Sequence, residues 1–149
     1  MQIKDSVVVI TGAAMRVGRE IALALAGKGA HIAFTYLTED EPWRQTQSEI
    51  EALGAACIAE QLEVRDAAQV RGFIEKASSR FGRVDVLINN ASIWLKSPLL
   101  QIAEADWDLS LDVNLKGPFL CSQAVAPIML KQNGGVILNI TDLSAFQVW

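Results

Sequence analysis

Short apolar runs alternate with amphipathic stretches along the chain, and no other property of the sequence narrows its fold as much. Residues 7–10 precede a helical pattern at 21–26, 32–34 precede 43–53, and 58–64 precede 70–81. Residues 84–88 then precede a long helical region, and 136–140 close the series. Runs that are apolar at consecutive positions suit strands covered on both faces. Strict strand–helix alternation implies right-handed crossovers and a parallel sheet. The expected fold class is α/β, a doubly wound parallel sheet in one domain over residues 1–149.

Helix boundaries agree with this order. Gly29, Gly54 and Gly82 each follow a helical pattern where a left-handed residue stops a helix, and Asp66 stands where an N-cap is expected. Pro118 is tolerable only in or near the first turn of a helix over 115–130. Pro127 should kink that helix or mark its early end.

The chain has 149 residues, of which 51% are hydrophobic, enough to build one sizeable core. No apolar run approaches the roughly 18–20 residues of a membrane span, and the first residues lack the apolar stretch of a secretory signal. A cytoplasmic protein without a membrane partner is expected. The net charge of −4, without a basic stripe, argues against nucleic acid as a partner. Cys57 and Cys121 form no Cys-x-x-Cys arrangement and are expected to be buried thiols. His31 is the only histidine, which removes Ser-His-Asp and Cys-His nucleophiles and multi-histidine metal sites. No metal is expected.

The turn after the first strand runs Thr11-Gly12-Ala13-Ala14-Met15-Arg16-Val17-Gly18 and leads into a helix. Small residues there let a backbone approach a dinucleotide pyrophosphate, which the helix N-terminus attracts through its amides and dipole. An ordinary βα turn would use the same glycines for packing. The spacing resembles the short-chain dehydrogenase/reductase fingerprint, with Arg16 at its middle glycine, as in the pteridine reductase branch. That resemblance implies a Rossmann-like sheet of order 3-2-1-4-5. It makes Gly12, Arg16, Val17 and Gly18 cofactor-binding residues, with the Arg16 guanidinium beside cofactor or substrate oxygens. A solvated Arg16 at a helix start is the plainer alternative.

The remaining strand ends extend the resemblance. Asn89-Asn90-Ala91-Ser92 is similar to the family's Asn-Asn-Ala-Gly. It implies that Asn90 and Ala91 lie near the cofactor's adenosine half, and that Ser92 and Trp94 face substrate. Trp94 would sandwich a planar ring against nicotinamide, or else simply pack a loop. Tyr36 stands where NAD-preferring members carry an acid, so NADP(H) is the expected cofactor. Glu63 matches the residue that accepts from the adenine amino group, and Asp66 remains a helix cap.

Asp112-Val113-Asn114-Leu115 resembles the segment whose asparagine positions a relay water, although Asn114 could instead break or cap a helix. Asp142 stands where most members carry a serine and pteridine reductases an aspartate, implying a substrate and catalytic role. An aspartate after a strand is otherwise turn chemistry. The family's Tyr-x-x-x-Lys would follow Asp142 by about a dozen residues, and the sequence ends first. The chain therefore reads as cut short. Its strand at 136–140 is apolar on both faces with no later helix to cover it, leaving the sheet incomplete at its C-terminal edge.

These features imply an NADP(H)-dependent reductase of a pterin or similar planar small molecule, usually a dimer or tetramer, catalytic only in a longer parent chain. Alternatives are a member acting on 3-oxoacyl, sugar or polyol substrates, and an inactive dinucleotide-binding module.

Overall fold

The computed structural model describes residues 2–142. Five parallel strands form one sheet in the order β3-β2-β1-β4-β5. They are β1 Val7–Ile10, β2 His31–Tyr36, β3 Cys57–Gln61, β4 Val86–Asn89 and β5 Val136–Asn139. The connecting helices are α1 Arg16–Ala26, α2 Trp43–Ala52, α3 Ala67–Phe81, α4 Glu104–Leu111 and α5 Gly117–Lys131. The doubly wound sheet and its predicted order are thus the observed ones.

Central β1 shows why consecutive apolar residues were needed. Val8 and Ile10 join Ala22 and Ala26 of α1 and Ile50 of α2 in one core, while Val9 faces Val70 and Phe73 of α3 and Val125 of α5 on the other side. Successive side chains point to opposite faces. With helices on both faces, every position of β1 is buried. Order reverses between β1 and β4, and the crevice outside the strand ends at such a reversal is where ligands bind.

Gly29, Gly54 and Gly82 all adopt positive φ after their helices. The Asp66 carboxylate accepts from Ala68 N and Gln69 N at 2.8 and 3.1 Å, capping α3. Pro118 sits in the first turn of α5. Pro127 does not end the helix, which runs on to Lys131; having no N–H, Pro127 leaves the Gln123 carbonyl without its helical donor. β3 is shorter than the expected 58–64, because pairing with β2 finishes at Leu62 N→Tyr36 O and the chain turns through Asp66 N→Glu63 O. Cys121 is buried and Cys57 only partly so, and burial pushes both thiols up to about 12.

The long helical region divides. A 3-10 turn (Leu99–Gln101) and α4 lead into a π-helical turn, Asp112–Lys116, before α5. Among the described residues no helix is long and apolar enough to cross a membrane.

Candidate functional site

The carboxyl ends of β1, β2 and β4, with the segment after β3, border a cleft of about 580 Å³. Every residue expected to hold cofactor lines it: Gly12, Arg16, Val17, Gly18, Tyr36, Glu63, Asn90 and Ala91, together with Ser92.

The first turn is shaped by close approach. Gly12 has φ +63°, and a Cβ there would stand 2.9 Å from Ala91 Cα. A Cβ on Gly18 would stand 2.5 Å from Asn90 Nδ2 and 2.6 Å from Gly12 O. These glycines therefore let the β1 turn, α1 and the β4 end nest together, which is the packing use expected of an ordinary βα turn. Arg16 also has positive φ, +53°, the left-handed conformation that glycine takes without cost. Its side chain is exposed at the cleft. No side chain caps the N-terminus of α1, whose first amides have no helical acceptor.

A hydrogen-bond clamp fixes this turn. Thr11 Oγ1 accepts from Asn90 N and Ala91 N, both at 3.0 Å, while Asn90 Nδ2 donates to Thr11 O and Gly12 O at 2.9 and 2.8 Å. From β2, Thr35 Oγ1 accepts from Gly12 N at 3.1 Å. From α2, the buried Thr46 hydroxyl donates to Ala14 O at 2.7 Å. Asn90 thus spends its side-chain donor on the protein. Sequence reasoning missed Thr11, Thr35 and Thr46, whose one signal was a hydroxyl at an otherwise apolar strand end or helix face.

At the end of β2 the Tyr36 hydroxyl donates to Glu39 Oε1 at 2.8 Å, and the Tyr36 ring stacks on Trp43 with centroids 4.7 Å apart. Burial, then the Glu39 carboxylate, push Tyr36 up to about 12. The tyrosine bond in turn holds Glu39 below the usual carboxylate range. Beyond β3, Glu63 accepts from Arg65 Nη2 at 2.6 Å and from Arg65 N at 3.2 Å, and the guanidinium bond lowers its pKa. Glu63 is therefore an ionised acceptor, already engaged by an arginine that sequence reasoning passed over.

The expected substrate and catalytic positions scatter more widely. Ser92 lines the cleft, whereas Trp94 is 85% exposed and, like Asn114 and Asp142, lies outside its lining. Asn114, inside the π-helical turn, neither breaks nor caps a helix. Its Nδ2 donates to Ile93 O and its Oδ1 accepts from Ile93 N, both at 3.0 Å, pinning the segment after β4. Asp142 is exposed beyond β5. Residues 143–149 fall outside the described residues.

The cleft suits a dinucleotide: glycines where a Cβ would close the turn, an uncapped helix N-terminus for phosphate, and an ionised Glu63 where adenine is expected. Fold and cleft together define a Rossmann-like α/β domain with its cleft at the reversal of strand order. The sequence profile of the short chain dehydrogenase family matches residues 6–149, and the chain belongs to that family of NAD(P)(H)-dependent oxidoreductases. It is 40% identical over 134 residues to a 3-oxoacyl-(acyl-carrier-protein) reductase of Staphylococcus aureus, covering 90% of this chain and 54% of that protein. A short-chain dehydrogenase/reductase from Serratia marcescens superposes with TM-score 0.92 at 30% identity, over 99% of this chain and 60% of that one. An NAD+-bound xylitol dehydrogenase gives TM-score 0.93 at 26% identity, over 99% and 56%. The chain spans a little over half the length of these relatives. The name of the Staphylococcus relative falls in the substrate class held as an alternative to pterins.

Proposed function

We propose that the protein is an NADP(H)-dependent reductase of a small planar substrate carrying a C=N or C=O bond, a pterin or a molecule of that shape. The observation that carries this reading is the cleft at the order reversal, with Arg16, a pterin-branch departure, and Ser92, which replaces the family's glycine, on its wall. Bound at the first turn, the nicotinamide cofactor supplies a hydride. The chain's own residues do the rest. Amides at the start of α1 and the Arg16 guanidinium hold phosphate, Glu63 accepts from the adenine amino group, and the absence of an acid at Tyr36 favours the 2′-phosphate form. Asn114 holds the segment bearing Ser92 and Trp94 in position. A homo-oligomer, usual in the family, is part of the same proposal.

A second reading, reduction of a 3-oxoacyl thioester, is favoured by the 40% identity to a reductase of that name. NADPH oxidation by the complete protein separates the two. Turnover of a dihydropterin and none of an acetoacetyl thioester supports the first, and the reverse result overturns it.

A further inference from the structure

The ribose end of the cleft contains an arrangement that the residue at position 36 does not foretell. After β2 the chain turns so that two successive amides, Leu37 N and Thr38 N, point at one carboxylate oxygen, Oε1 of Glu41, at 2.7 and 2.9 Å. Glu41 lines the same cleft as Gly12, Arg16 and Gly18. Consecutive amides converging on a point form a cradle for an anion, and here the protein's own anion fills it. In a fold of this order the residues just beyond the second strand meet the ribose 2′ position of a dinucleotide. The cradle is therefore the place a 2′-phosphate would use.

Charge at this corner points the same way. Glu39 and Asp40 immediately precede Glu41, and hydroxyl bonds from Tyr36 and Thr38 respectively hold both carboxyls below their usual range. Arg44 Nη2 lies 3.3 Å from Glu39 Oε2 and stacks over Trp43, so that cation is committed to Glu39. A 2′-phosphate adds roughly two more negative charges to this corner.

We propose that Glu41 is the residue that sets the cofactor's ribose preference, its carboxylate holding the Leu37 and Thr38 amides that a 2′-phosphate must take to bind. NADP(H) enters by displacing Glu41 from the two amides. NAD(H), with only a hydroxyl at this position, leaves the bond intact. Glu41 thereby narrows, without reversing, the NADP(H) preference that the missing acid at Tyr36 gives.

This inference rests on the dinucleotide reading, and calorimetry with NADPH and NADH on the complete protein tests both. In Glu41→Ala, NADPH affinity rises about tenfold or more while NADH affinity changes less than about twofold, as expected for removing a competing charged acceptor. Glu41→Gln keeps an uncharged acceptor in the turn and shifts the ratio the same way by less, which separates the effect from any local unfolding caused by alanine. An NADPH-to-NADH ratio unmoved in both variants overturns the proposal alone. So does a loss of NADH affinity with NADPH unchanged, which would make Glu41 a direct acceptor of the ribose hydroxyl. If the unaltered protein binds neither nucleotide, the dinucleotide reading fails and this proposal with it.

Discussion

Arg16 holds a left-handed backbone that costs a side-chain-bearing residue about 1–2 kcal/mol, while glycine in its place loses about 0.5–1 kcal/mol of chain entropy. Arg16→Gly should therefore leave stability unchanged or raise it by up to about 1.5 kcal/mol, while weakening dinucleotide binding roughly tenfold through loss of a charge-assisted phosphate contact. Thermal melts and calorimetry on one variant read the two effects separately. Gly18→Ala should lose both stability and binding. Its Cβ meets Asn90 Nδ2, Gly12 O and Ala13 Cα within 2.8 Å, so stability falls by roughly 1–3 kcal/mol and binding falls with it. The fingerprint spacing made the places of Gly12, Arg16 and Gly18 at the cleft legible, because that spacing follows the path of the backbone through the turn. Glu41, Arg65 and Thr46 were not legible, since each acts through a partner distant in space or across a turn. Asn90 was only half legible: its place at the cleft followed from the motif, but the use of its amide on Thr11 and Gly12 did not.

Among the elements, α3 gives the clearest pH-dependent test. Backbone N–H bonds from Gln69 and Ala68 hold Asp66 below the usual aspartate range, so the unfolded chain binds this proton more tightly than the folded one. The stabilisation is present above the ordinary aspartate range and is lost as pH falls through the depressed value. Asp66→Ala should lower Tm near neutral pH, and melts repeated in acid should show the difference from the unaltered chain closing. Both this cap and the three glycine stops could be read in the sequence, because caps are written in single residues. The π-helical turn at Asp112–Lys116 could not. A widened turn changes which atoms bond without changing the apolar pattern on either side. Its effect is to bring Asn114 against Ile93, so Asn114→Ala should speed amide exchange at Ile93 while leaving exchange in β1 unaltered.

For the whole molecule, element order and the parallel, doubly wound class followed from periodicity, because burial on both faces and right-handed crossovers leave few other arrangements, while the strand order 3-2-1-4-5 came from the family resemblance. The uncovered edge was equally legible: every residue of β5 is exposed, with Val136, Ile137 and Leu138 all apolar. Expressed by itself, the 149-residue chain should self-associate through this edge. Sedimentation should show the weight-average mass rising with concentration, and Ile137→Lys with Leu138→Lys together should suppress the rise.

The clamp between Thr11 and Asn90 joins residues 79 positions apart. Its consequence is temporal. As the chain leaves the ribosome, the glycine turn emerges early and can meet Thr35 of β2 and Thr46 of α2, but it stays half fastened through the synthesis of β3 and α3, because its remaining bonds come from a strand end not yet made. The glycine turn is fully fastened only when β4 docks beside β1. A nascent chain arrested before Asn90 has the fingerprint in its sequence and no site to show for it.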